Sequence, residues 1–263
     1  MTKKLSKMRI AFLCFFAVFA IFPLAYTLLN SFNTSGIYSL IPKSFGISGY
    51  YEAFLRRPDY LWKFWTSIAL CLCIVAGQVI VSCFAAYGFS RFNFLLKNVL
   101  FYLIIILMMM PFQVTLVSNY ATLDAMRLIN TYAALTLPAV FSPFGVFLLR
   151  QVFDTCPKEI CEAAELDGAG HLRVLFQIMV PRSRAGVASL IVLSFVDSWN
   201  MVEQPLVYLK DSFRYPLSIF LASMGGTDVA TLCACGVLAA IPVLLLFFYY
   251  DQDLAEGITM SQL

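Results

Sequence analysis

The chain has 263 residues, of which 61% are hydrophobic and 13% charged, against roughly 45–50% and 25% in soluble domains. A soluble fold of this length has too little interior for that much apolar side chain, so lipid is the expected solvent for most of it. The net charge of +3 reflects basic residues between apolar runs and gives no reason to expect nucleic acid as a partner.

Six runs are long enough to cross a bilayer, which takes about 20 apolar residues in a helix. Five of them, Ile10–Leu29, Phe64–Ser90, Asn98–Leu123, Leu128–Leu149 and Val229–Tyr250, contain no Asp, Glu, Lys, Arg or His. The sixth, Ala185–Leu209, carries Asp197 and Glu203. The runs are continuous rather than alternating in polarity, which favours helices over barrel strands. The expected fold class is therefore all-α, a polytopic membrane protein of six transmembrane helices. An even number of spans puts both termini on one side. With the N-terminus inside, the inner segments hold 11 of the 18 Lys and Arg and the outer ones 7, so both termini are expected in the cytosol.

In chain order, the first run follows Lys3, Lys4, Lys7 and Arg9. It is too long for a signal-peptide core and no Ala-x-Ala-like site follows, so an uncleaved anchor is expected. An outer segment, about Asn30–Lys63, carries a short helix near Tyr50–Arg57. A short turn, Phe92–Lys97, joins the second and third runs inside, and a tight outer turn near Asp124–Arg127 makes the third and fourth antiparallel neighbours. The longest inner loop is Gln151–Arg184. A last outer segment, about Lys210–Asp228, contains Pro216 and the flexible pair Gly225–Gly226, and an acidic inner tail, Asp251–Leu263, closes the chain. Pro23, Pro111, Pro138, Pro143 and Pro242 lie inside runs, where each removes a backbone hydrogen bond and can kink a helix. Cysteines in the runs read as small hydrophobes. With no Cys-x-x-Cys pair and the single histidine His171, no zinc site is expected.

The inner loop contains Pro157-Lys-Glu-Ile-Cys-Glu162-Ala163-Ala164-Glu-Leu-Asp167-Gly168. Proline suits a first helical turn and glycine a left-handed cap, and about three turns of helix fit between them. Glu159, Glu162 and Glu165 make a wet stripe, while Ile160, Ala163, Ala164 and Leu166 offer apolar or small surface. A second amphipathic stretch, Leu172–Met179, ends at Pro181. On composition alone this is either a solvated connection or a short surface helix whose alanines permit close approach by another protein.

Glu162-Ala163-Ala164, three residues, Gly168, nine residues and Ile178-Met179-Val180-Pro181 resembles the signature loop of bacterial import permeases, Glu-Ala-Ala-x3-Gly-x9-Ile-x-Leu-Pro. Val180 in place of Leu is the one departure. Ala86-Tyr87-Gly88-Phe89-Ser90-Arg91, Pro143-Phe144-Gly145-Val146-Phe147-Leu148-Leu149-Arg150, Ser198-Trp199-Asn200 and Glu256-Gly257-Ile258-Thr259 resemble the carbohydrate-uptake branch, the maltose- and glycerol-phosphate-type permeases. The likeness runs from the second span almost to the C-terminus, and residues 1–63 match in general layout only.

The resemblance implies a transmembrane domain of a type I ABC importer in the bacterial inner membrane. Residues 1–63 would be an N-terminal span with its outer segment. Residues 64–263 would be the permease core, with loop 151–184 as the coupling loop. It implies a homologous second permease, two ATPase subunits and an extracytoplasmic substrate-binding protein as partners, with sugar or oligosaccharide as cargo. Glu162, Ala163, Ala164, Asp167, Gly168, Ile178 and Pro181 would couple to the ATPase. No Gly-x4-Gly-Lys-Ser/Thr occurs in the chain, so it is expected to be no enzyme and to hold no cofactor, ATP and Mg being bound by the partner ATPase.

Asp197, Trp199, Asn200 and Glu203 are the candidate substrate-pathway residues, because intramembrane carboxylates usually face a cavity or a partner. Asn119 and Gln113 are weaker candidates. In a regular helix Asp197 and Glu203 lie about 120° apart with Asn200 about 60° from each, so all three line one narrow pore only if the helix breaks near Trp199-Asn200. Two readings stand: sugar contact, or Asp197 pairing within the permease dimer with Glu203 already at the outer interface. Other cargo (polyol, glycerol-phosphate, polyamine), an ion-coupled carrier and a membrane scaffold are the rival functions.

Overall fold

A computed structural model describes residues 2–225 and 228–260, so Gly226 and the end of the tail lie outside the described residues, as do the side chains of Glu256-Gly257-Ile258-Thr259. Every extended element among the described residues is helical, apart from one isolated bridge between Asn33 and Phe45. The helices are α1 Thr2–Ser31, α2 Ser48–Tyr51, α3 Pro58–Arg91, α4 Lys97–Met109, α5 Phe112–Ala125, α6 Ala133–Val140 and α7 Pro143–Asp154. They continue as α8 Lys158–Leu166, α9 His171–Val174, α10 Val180–Arg182, α11 Arg184–Trp199, α12 Glu203–Tyr208, α13 Leu217–Ser223 and α14 Val229–Met260. Four apolar segments are long enough to cross a membrane, in α1, α3, α6 with α7, and α14. Two further pairs of helices, Lys97–Met109 with Phe112–Ala125 and His171–Arg182 with Arg184–Trp199, are bent at a short break and bring the number to six where each pair counts as one span.

The chain forms two compact units. The first comprises residues 1–64 with 219–242. No residue of α1 from 12 to 29 is buried within the chain, as expected of a helix apolar on all sides and solvated by lipid or by a partner. At its C-terminal end Asn30 and Ser31 are wholly buried, as is Asn33 just beyond it. The Asn30 amide donates to the carbonyls of Tyr26 and Ser39 at 3.0 and 2.9 Å, and the Asn33 amide to Ile37 at 2.8 Å. These bonds replace helix or strand partners for a connection with little regular structure. The short helix expected near Tyr50–Arg57 is α2, followed by a π turn over Glu52–Arg56.

The second unit comprises residues 65–218 with 243–263, and here the apolar runs fold less simply than their composition suggests. The run Asn98–Leu123 is two helices, α4 and α5, turned by 104°. Met110 is extended (ψ 130) just before Pro111, because the proline ring disfavours helical backbone in the preceding residue. The run Leu128–Leu149 breaks at Phe141–Ser142, before Pro143. The Ser142 hydroxyl oxygen accepts from Gly145 N–H at 3.2 Å and caps α7 with proline in its first turn. Pro23, Pro138 and Pro242, in contrast, sit inside continuous helices. The run Ala185–Leu209 stops at Trp199 and resumes as α12. The acidic tail begins as helix, since α14 runs on past Asp251 to Met260.

Two apolar clusters hold this unit. One gathers Tyr87 of α3, Leu149 and Phe153 of α7, Leu190 of α11 and Cys161, Val174, Leu175 and Met179 of the connecting loop. Gly145 lets α7 approach closely, since a Cβ there would lie 2.4 Å from Ser82 Oγ. The other cluster packs Leu70 and Ile74 of α3 against Leu123, Leu135 and Tyr208. Beside it, Asn130 adopts a left-handed backbone (φ 64). Its N–H donates to Tyr208 O at 2.8 Å, and its side-chain oxygen accepts from the N–H groups of Lys210 and Asp211 at 3.0 and 3.2 Å. Its amide donates to Asp211 Oδ2 at 2.9 Å, and Arg214 donates to its carbonyl. Asn130→Ala removes the side-chain half of this clamp and is expected to cost about 1–3 kcal/mol. A thermal melt in detergent should show the loss, and hydrogen exchange should rise at residues 208–214 and not at Cys161.

Candidate functional site

The loop between α7 and α11 is built outward from one cation. Arg91, the last residue of α3, donates to the carbonyl oxygens of Phe153 and Cys156 at 3.0 and 2.7 Å and lies 3.4 Å from Met179 Sδ. A guanidinium at the C-terminal end of α7 meets carbonyls that the helix leaves free and complements its dipole. The neighbouring Ser90 hydroxyl donates to Asp154 Oδ1 at 2.6 Å.

On that base stands α8, nine residues preceded by Pro157 in extended conformation. Its inner face is buried Cys161 and half-buried Ala164, both in the cluster around Phe153. Burial pushes the Cys161 thiol up from its ordinary range, with Arg91 pulling the other way. The C-terminus closes with paired bonds: Gly168 N–H donates to Glu165 O at 3.0 Å, and Ala169 N–H to Ala164 O at 2.9 Å. This is the Schellman arrangement, and it requires the left-handed backbone that Gly168 supplies (φ +86). His171 Nδ1 lies 3.1 Å from Glu165 Oε1, and its ring meets Phe92 edge to face at 5.0 Å.

The outer face of α8 has no such anchors. Glu159, Glu162, Ala163 and Asp167 are exposed, and Leu166 is 90% exposed. The second amphipathic stretch does not stop at Pro181. It passes from α9 through a π turn, Leu175–Met179, into α10, which contains Pro181. The wider turn spares the clash a proline ring makes with the carbonyl four residues back, here that of Gln177. Ile178 packs half-buried on the cluster, while Pro181 is exposed. The chain then turns by 82° into α11, and Arg184 Nε meets Asp253 Oδ1 of α14 at 2.8 Å.

The other sequence candidates sit along the interrupted run of α11 and α12. Asp197 lines a cavity of about 560 Å³, together with Gln78, Asn119, Gln204 and Tyr208. Trp199, Asn200 and Glu203 are not in its lining. Trp199 is buried and stacks on Phe195 at 5.6 Å, and the Asn200 amide donates to Val196 O at 2.9 Å within its own helix. Glu203 accepts from the Gln113 amide at 3.1 and 3.2 Å. Gln78 and Tyr208 were not among the sequence candidates. Gln78 did leave a signal, being the one amide in the run Phe64–Ser90. Tyr208, an aromatic among apolar residues, left none.

A Cβ at position 168 would meet nothing within 4 Å, so its cost there is backbone strain alone. Gly168→Val should therefore weaken the cap by about 1–2 kcal/mol, raising local opening by about five- to thirtyfold. Limited trypsin treatment should then cut faster after exposed Arg173, with cleavage elsewhere unchanged.

A family model described as the binding-protein-dependent transport system inner membrane component matches residues 78–252. The arabinooligosaccharides transport system permease protein AraQ of Halalkalibacterium halodurans is 29% identical over 257 residues, covering 94% of this chain and 92% of that protein. The sn-glycerol-3-phosphate transport system permease protein UgpE of Pectobacterium atrosepticum is 30% identical over 201 residues, covering 74% of this chain and 72% of its own length. Among solved structures, a chain of a bacterial ABC transporter involved in the import of the acidic polysaccharide alginate superposes with a TM-score of 0.83. It is 19% identical and covers 95% of this chain and 96% of its own length, a likeness of fold.

Proposed function

The chain belongs to the family of binding-protein-dependent transport system inner membrane components, and from that premise we propose that it is the sugar- or oligosaccharide-importing permease subunit of an ATP-driven transporter. It forms half of a translocation pore in a bacterial cytoplasmic membrane, both termini inside. The other half is a homologous permease, two ATPase subunits dock below, and an extracytoplasmic binding protein delivers cargo. ATP and Mg are held by the ATPase and not by this chain. Residues 1–63 add an N-terminal span with its outer segment, and residues 64–263 are the permease core, with loop 151–184 as its coupling device.

One observation carries the coupling assignment: a helix anchored on one face and bare on the other. A leucine 90% exposed at the end of α8 has apolar surface to bury, and Ala163 one turn back adds too little bulk to obstruct a groove. In this reading Glu162, Ala163, Leu166 and Asp167 contact the ATPase. Ala164, Gly168 and Ile178 hold the helix in place, and Pro181 shapes the turn into α11. Closure of the ATPase dimer moves α8, and the buried contacts of Cys161, Val174 and Met179 with α3, α7 and α11 carry that movement into the membrane. Cargo biases the two states only through a difference in its affinity for them. The names of the relatives divide the cargo between oligosaccharide and glycerol phosphate, and the oligosaccharide reading is preferred here.

With Cys156 and Cys161 replaced, Ala163→Cys should crosslink to the cognate ATPase in membranes. No crosslink from any cysteine placed at positions 160–166, in an intact complex, would remove the docking assignment.

A further inference from the structure

Three interruptions of the apolar runs meet at one place. The cavity of about 560 Å³ is lined by Met110 and Phe112 on either side of Pro111, by Phe141 and Ser142 at the second break, and by Ser198 and Met201 at the third. Irregular backbone at membrane depth is tolerated where it lines a cavity, and binding sites in transporters sit at broken helices. The volume falls within the range of small-molecule sites, about 300–1,000 Å³.

The chemistry of the lining selects among cargoes. No Lys, Arg or His contributes to it, and Asp197 is its one charged residue. The side chains of Asp197 and Gln204 form no hydrogen bond or ion pair with any other described residue, whereas the Gln78 amide is committed to Ala139 O at 2.7 Å. Tyr208 is 1% exposed, and its hydroxyl, near Asn119, has no well-aligned hydrogen bond among the described residues.

We infer that this cavity is a cargo subsite for neutral polyhydroxylated solutes, with Asp197 and Gln204 as its recognition pair. The inference rests on the importer reading above and narrows its cargo. An ionised carboxylate is acceptor-only and can take two hydroxyl protons from adjacent sugar carbons, whereas an amide both donates and accepts. Phe112 and Phe141 offer apolar faces to the carbon side of a sugar ring. A phosphate or uronate group would bring acceptors and negative charge to Asp197, with no cation in the lining to receive it.

The test uses the whole importer, reconstituted with its partners and with native cysteines replaced. Gln204→Cys is reacted with neutral hydroxyethyl and anionic sulfonatoethyl methanethiosulfonates, and exposed Phe213→Cys serves as the reference. The neutral reagent should be favoured at position 204 by about tenfold over its preference at 213, and adding Asp197→Asn should erase that bias. Equal preference at both positions would overturn the subsite. ATP hydrolysis by the otherwise unaltered importer should be stimulated by arabinotriose and not by sn-glycerol-3-phosphate, and the reverse order would overturn the cargo class. Because the Ala163→Cys crosslink reads docking alone, a failure there is distinguishable from a failure here.

Discussion

Arg91 ties three elements with one side chain. Its guanidinium ends α3, occupies the carbonyls of Phe153 and Cys156 where α7 finishes, and touches Met179 in the stretch that leads to α11. Carbonyls at a helix end in partly buried surroundings need a donor, and a charged, multi-pronged donor satisfies several at once. The cluster of Leu149, Phe153, Cys161, Val174 and Met179 packs around that junction. The placement of α8 depends on the cluster, because Cys161 and Ala164 are the helix's inward contacts.

The same economy of backbone bonds explains the cavity. A helix in lipid satisfies its own N–H and C=O groups, so a break is unfavourable unless other groups or water meet the freed ones. Here the breaks at Pro111, Phe141–Ser142 and Asn200–Val202 are gathered rather than scattered. The Ser142 cap, the Gln78 bond to Ala139 and the Asn200 bond to Val196 each take up a backbone group at or near a break.

Around α8, the proposed coupling helix, rigidity and exposure are divided by face. Schellman bonds at Gly168, the contact of His171 with Glu165, and burial of Cys161 hold one side of α8. Glu162, Ala163 and Leu166 are left free on the other. A helix held this way moves with the core and not independently of it, which suits a part that transmits displacement. The ion pair of Arg184 with Asp253 extends the connection to α14, so the start of α11 is tied to the last helix as well.

Much of this was legible in the residues. Continuous apolar runs specify helices in lipid because the bilayer leaves few alternatives, and the spacing from Glu162 to Pro181 carried the family resemblance. Gly168 was readable as a left-handed cap, since Pro157 and the following apolar pattern bounded one short helix. Asp197 was readable as a cavity candidate because a carboxylate in a span is costly. The tertiary structure decided which prolines break a helix: Pro111 and Pro143 do, whereas Pro23, Pro138 and Pro242 do not. That outcome turns on whether neighbours can take up the freed backbone groups, which no local pattern encodes. It decided, too, that Asp197 shares a cavity with Gln78, 119 positions earlier, while Glu203 pairs with Gln113 and Trp199 packs on Phe195. Sequence spacing gives directions around one helix. Which directions converge depends on the packing of several, and that is a property of the assembled core.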